Sequence, residues 1–123
     1  MKKVNVLGTE YTIKIDNELN DPKLKECDGY CDDTIKLCVV ADFIPDTMSK
    51  SNLDEYRKKV IRHELIHAFL FESGMAEMSH DESFVDWIAA QFPKLQKAFK
   101  EADCIWKVVN KTCLISYLLG VIM

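Results

Sequence analysis

The sequence predicts an α+β fold: a small antiparallel sheet, made of an N-terminal hairpin and a third strand, packed on one long helix and one or two further helices. Three observations carry this expectation. Residues 4–15, "VNVLGTEYTIKI", alternate apolar and polar on both sides of Gly8, the period of a half-buried hairpin. Residues 34–44, "TIKLCVVADFI", read as a third strand ending near Pro45. From Leu53 onward the pattern is helical, first to about Ser73 and again from His80 or Asp81 to Phe92.

In the hairpin, Val4, Val6, Tyr11, Ile13 and Ile15 supply most of the apolar surface. The next stretch, "DNELNDPKLKECDGY", is polar and carries Asp21-Pro22 and Asp28-Gly29, so it is expected to be a loop with turns. At the long helix, Ser51 or Asn52 can cap the start. Asp54 and Glu55 suit the positive end of its dipole, and Gly74 offers a left-handed stop. Beyond Ile61 this helix is apolar on nearly every face, which predicts burial. Pro93 is expected to break the second helix and open a third, "PKLQKAFKEADCIW". Phe69, Phe71, Phe84, Trp87, Phe92 and Phe99 recur at helical spacing and are expected in the core. Met75 and Met78, in the connection between the helices, either line a cleft or stand exposed.

At 123 residues the chain is read as a single domain, with an apolar C-terminal extension from about residue 105. The end of that extension, "CLISYLLGVIM", is too short an apolar run to span a bilayer, so no membrane association is expected. A buried helix or strand is the preferred reading of this tail, a partner-binding or self-association surface is the second, and a membrane anchor is the last. The formal charge of −4 argues against direct nucleic-acid binding, which wants a basic surplus. Five cysteines (Cys27, Cys31, Cys38, Cys104, Cys113) show no disulfide-scaffold rhythm, and the first residues hold no apolar stretch long enough for a secretory signal. Both features favour a cytoplasmic protein with free thiols. "CDGYC" lacks the C-x2-C spacing of zinc knuckles and reads as a turn with two incidental thiols.

The chemistry is concentrated in "VIRHELIHAFLFESG". His63 and His67 are four apart on the expected helix and so project from one face, with Glu64 beside them. This is H-E-x-x-H in the helical setting that a zinc-hydrolase site needs. Neutral imidazoles bind Zn²⁺ without cancelling its charge, and the adjacent carboxylate can take a proton from a water and pass it to a leaving amine. Two histidines and a glutamate on an apolar helix would be costly without a partner, and a metal supplies one. A catalytic zinc wants a third protein ligand. Leu70 and Ser73 stand where the H-E-x-x-H-x-x-G-x-x-H class has glycine and histidine, so that class is excluded. Downstream, "SHDESFVDWIAAQF" offers His80, Asp81, Glu82 and Asp86. Glu82 and Asp86 share a helical face, so one can bind the ion while the other accepts a hydrogen bond from a ligand histidine.

His63-Glu64-x-x-His67 followed by Glu82-x-x-x-Asp86 resembles a gluzincin. The hairpin before the helix and "ESFVDWIAAQFP" after it are similar to small phage- and mobile-element-type zinc peptidases related to the ImmA/IrrE family, over roughly residues 3 to 104. The resemblance implies a compact α+β metallopeptidase acting on a protein or peptide substrate. It further implies Zn²⁺ held by His63, His67 and Glu82, with Glu64 as the catalytic base and Asp86 supporting a ligand histidine. His80 remains an alternative ligand or an oxyanion-stabilising group, a role Tyr30 or Tyr56 could fill equally. By the same analogy the peptide would add to a sheet edge, for which "TIKLCVVA" is the expected strand. A non-catalytic zinc-binding interaction module is the competing reading, and a hydrolase for a non-peptide amide is a third. The intact Glu64 favours the enzyme, because a purely structural site has no use for it.

Overall fold

A computed structural model describes residues 1–45 and 49–106. The apolar tail from residue 107, with Cys113, lies outside the described residues, and so does the expectation attached to it. The chain divides into two compact units, Met1–Phe92 and Pro93–Met123. The first is α+β and carries the whole sheet.

β1 (Lys2–Val6) and β2 (Thr9–Asp16) form the expected antiparallel hairpin, with Val6 opposite Thr9. Leu7 and Gly8 both take positive φ, 51° and 93°, as a two-residue primed turn requires. The Asn5 side chain accepts a hydrogen bond from the Gly8 amide at 2.7 Å and steadies that turn. A 3-10 turn over Pro22–Lys25 follows, capped by Asp21. β3 (Gly29–Asp32) and β4 (Leu37–Ala41) are an antiparallel pair joined by a short turn at Lys36, φ 54°.

The sheet departs from the expected one in two respects. It has four strands in the order β1-β2-β4-β3, and β4 runs parallel to β2, so the sheet is mixed rather than antiparallel. Residues 17–36 provide a crossover long enough for the chain to re-enter the sheet in the same direction. The stretch around "DGYCD", expected as a turn, contributes the edge strand β3. The expected substrate edge, β4, is an interior strand hydrogen-bonded on both sides. Strand order depends on long-range pairing, which alternation within a segment does not report.

α1 (Leu53–Glu72) matches its expected limits. Asn52 caps it, accepting from the Glu55 amide at 3.2 Å, and Gly74 follows its C-terminus at φ 81°. α1 packs on β4 and β3 and touches β1. Its buried residues are Val60, Glu64 and Ala68, a single stripe at four-residue spacing. The expectation of burial on nearly every face is therefore corrected: Phe69 and Phe71 are exposed, at 42% and 38%. One small sheet covers one face of the helix, and a unit of this size has little else to cover the others. One core cluster consists of Val6, Tyr11, Ile13, Cys38 and Ala68, with Val4, Cys31, Ile61 and Leu65 around it, and Val39, Val40, Val60, Val85 and Ala89 are buried as well. Ile15, expected with the hairpin's apolar surface, is exposed.

α2 (Ala76–Ser79) is one turn, and α3 runs Glu82–Glu101. Asp81 starts α3 by accepting from the Phe84 amide at 3.0 Å. The expected break at Pro93 does not occur, and the helix continues through it. A proline at 93 deprives the Ala89 carbonyl of its intrahelical donor. Arg62 of α1 supplies the replacement, its Nε donating to Ala89 O at 2.7 Å. Trp87, Phe92 and Phe99 are exposed, contrary to their expected core placement, and Phe84 is half-buried. Polar side chains of Lys59, Arg62 and His63 on α1 reach α3, whose Val85 and Ala89 are fully buried.

Candidate metal centre

Three side chains from two helices converge in a cleft. His63 and His67 project from successive turns of α1, and their Nε2 atoms lie 3.2 Å apart. Glu82, the first residue of α3, places one carboxylate oxygen 2.9 Å from His63 Nε2 and the other 3.0 Å from His67 Nε2. Of the His, Cys, Asp and Glu side chains among the described residues, these three form the group whose ligand atoms all lie within 4.8 Å of one another.

The far sides of both rings are also engaged. His63 Nδ1 lies 3.3 Å from Asp86 Oδ1, and Asp86 is in turn held by Lys59 at 3.1 Å. That lysine is the main reason the Asp86 carboxyl sits below its usual range. His67 Nδ1 lies 2.9 Å from Ser79 Oγ, whose hydroxyl can donate to the His67 carbonyl 3.5 Å away. With Nδ1–H donated to Asp86 and to Ser79, each ring keeps its Nε2 lone pair for the convergent side. Burial holds the His67 imidazole below the usual histidine range, which favours that neutral form. Two lone pairs and a carboxylate facing one another need a proton or a cation between them. Two imidazoles and one carboxylate are a donor set suited to zinc.

Glu64 is 5% exposed and lines the same cleft. Burial, with the Glu82 charge adding to it, pushes its carboxyl up to about 8. Its place is set partly by Gly29 of β3. A Cβ at Gly29 would stand 2.8 Å from Val39 O, 3.0 Å from Val60 Cγ1 and 3.3 Å from Glu64 Cγ, so glycine lets α1 settle on the sheet at this level. The cleft has a volume of about 620 Å³ and is walled by β3 on one side and by the starts of α2 and α3 on the other.

The remaining sequence candidates separate by position. His80 closes α2, is exposed and lines the cleft, but stands outside the convergent trio. Asp81 is occupied as the cap of α3. Tyr30 and Tyr56 line the cleft, with hydroxyls donated to Asp21 and Asp28 respectively. Both phenols are pushed up to about 12, Tyr30 first by burial and Tyr56 first by its bond to Asp28. Met75 is exposed.

Sequence reasoning passed over Lys59, Arg62, Ser79, Gly29 and Glu72. Lys59 lies one turn before His63, a usable signal; the others depend on partners remote in sequence. Glu72, at the negative end of the α1 dipole, is unfavourably placed in isolation. It is held by Tyr11 Oη at 2.8 Å, Lys36 Nζ at 2.8 Å and Thr9 Oγ1 at 3.2 Å, and so anchors the end of α1 to the sheet. Comparison of the chain with known families, with characterised proteins and with solved structures finds no match.

Proposed function

We propose that this protein is a metal-dependent hydrolase, and more particularly a zinc peptidase of the gluzincin type, as its resemblance to ImmA/IrrE-related enzymes implies. The observation that carries the reading is the convergence of His63 Nε2, His67 Nε2 and the Glu82 carboxylate beside a buried Glu64 in an open cleft. His63, His67 and Glu82 would hold the ion, which when bound supplies the Lewis acidity that makes water a nucleophile near neutral pH. Glu64 takes the proton released by that water and returns it to the leaving amine. A carboxyl poised near neutrality suits a group that must both accept and donate. Asp86 and Ser79 fix the tautomers of the two histidines, and Lys59 keeps Asp86 ionised.

The peptide is held as an added strand on β3, which replaces β4 as the edge beside the cleft. The Ala41 amide donates to Asp28 O, so residues 28, 30 and 32 direct their backbone groups toward β4. Gly29 and Cys31 then turn theirs to the open edge, where main-chain pairing gives affinity with little sequence demand. A phage or mobile-element regulator is a setting consistent with the resemblance.

The test is metal content by mass spectrometry, with hydrolysis of a peptide library, on wild type, Glu64→Gln and Glu82→Ala. One zinc per chain is expected in wild type, kept by Glu64→Gln and weakened by Glu82→Ala. Peptide hydrolysis should fall about 10²- to 10⁴-fold in Glu64→Gln. Absence of metal in wild type supplied with zinc would leave the histidines as ordinary helix residues and end the peptidase reading.

A further inference from the structure

Two cysteines face each other across the strands that wall the cleft. Cys31 on β3 is directly opposite Cys38 on β4. The bond from Ala41 N to Asp28 O, 2.8 Å, sets the phase of this ladder. Asp28 and Ala41 form a hydrogen-bonded pair, pairs alternate in kind, and Cys31–Cys38, three pairs along, is a non-hydrogen-bonded one. Opposed Cα atoms in such a pair lie about 4.5 Å apart, inside the roughly 4.4–6.8 Å that a disulfide spans.

Both side chains lie on the sheet face that receives α1. The Cys38 thiol is 3.7 Å from the Glu64 carbonyl, and Cys31 packs against the same core cluster. The neighbouring Cys31 thiol, ahead of burial, holds the Cys38 thiol far above its usual range. Their access differs, since Cys31 lines the cleft while Cys38 is 1% exposed. Cys27 also lines the cleft but precedes β3, with its thiol turned to Lys23 O at 3.3 Å, and has no partner across the ladder.

We propose that Cys31 and Cys38 are a modification site, oxidised by hydrogen peroxide entering the cleft to a disulfide between β3 and β4. The Cys31 sulfur attacks peroxide, the O–O bond breaks, and a sulfenic acid and one water form. The Cys38 sulfur then attacks the Cys31 sulfur and the S–O bond breaks. The departing hydroxide carries off the Cys38 proton as a second water. Two thiols and one peroxide thus give one disulfide and two waters, the sulfurs being oxidised and the peroxide oxygens reduced. The bond staples the edge strand at the level of Glu64. It is formed by the fold itself, whether or not the cleft holds a metal.

The test treats the reduced full-length protein with hydrogen peroxide, blocks the remaining thiols by alkylation and maps the peptides. Cleavage after Tyr30 and after Lys36 places Cys27, Cys31 and Cys38 on three separate peptides. The expected product is a Cys31–Cys38 cross-link reversed by dithiothreitol. Cys38→Ser should instead accumulate a Cys31 sulfenic acid that dimedone traps, and Cys31→Ser should leave the Cys38 thiol intact. Three results would each overturn the proposal. They are a cross-link through Cys27, a wild-type sulfenic acid as abundant as in Cys38→Ser, and an unreacted pair under peroxide that oxidises the exposed Cys104.

Discussion

Arg62→Ala should cost the fold more while residue 93 is proline than after Pro93→Ala. Ala89 is fully buried, and its carbonyl receives the Arg62 Nε at 2.7 Å. Its ordinary donor, the amide of residue 93, has no hydrogen. A hydrogen bond from a charged donor contributes about 1.5–3 kcal/mol, and removing the donor leaves a buried acceptor unpaired. Arg62→Ala alone is therefore expected to cost about 2–3 kcal/mol, including the packing of the arginine stem. With alanine at 93, an amide hydrogen returns to the Ala89 carbonyl. Arg62→Ala then costs about 0.5–1 kcal/mol, giving a coupling of roughly 1–2 kcal/mol. Pro93→Ala by itself should be neutral or stabilising, because an interior helical proline ordinarily costs about 3 kcal/mol. Urea unfolding of the four proteins followed by circular dichroism, with chelator present so that metal binding does not enter, measures the cycle. Additivity within about 0.5 kcal/mol would refute the argument that the arginine replaces the missing amide.

Gly29→Ala should destabilise the fold by about 1–3 kcal/mol, since the added methyl meets the Val39 carbonyl and the Val60 and Glu64 side chains; a melting temperature equal to wild type would contradict this. Glu72 makes stability depend on pH. Lys36 first, then Tyr11, hold its carboxyl below the ordinary 4.5, so the unfolded chain takes up the proton before the folded one. Its contribution is full above about 4.5 and is lost as pH falls through the lower folded value, so the stability gap between wild type and Glu72→Gln should close below that range. If the proposed centre binds zinc, zinc at 100-fold its dissociation constant should stabilise wild type by about 2.7 kcal/mol, read as a raised melting temperature, and leave His67→Ala unmoved. Equal shifts in the two proteins would place the zinc elsewhere.

Much of the fold was legible because its signals are local. The hairpin announces itself by alternation around Gly8, and α1 by Asn52 at its start and Gly74 past its end. The aromatics misled for a physical reason. Helical spacing of Phe69, Phe71 and Trp87 shows that they are apolar and periodic, but burial needs a second surface. Trp87 stands 56% exposed. Pro93 misled in the opposite direction, because the penalty that ends a helix can be met by a donor 31 positions away in the sequence, Arg62.

The sequence by itself determined the hairpin, the long helix and the presentation of His63, Glu64 and His67 on it, since each depends on residues within a few positions of one another. Only the tertiary structure decided that β4 enters the sheet parallel to β2, that β3 becomes the edge beside the cleft, and that Cys31 faces Cys38. It also decided that Glu82, rather than His80 or Asp81, meets the two histidines. These are pairings between remote segments. Their selection rests on which arrangement buries the apolar face of the sheet and satisfies the buried polar groups together, a balance that no single stretch of the chain contains.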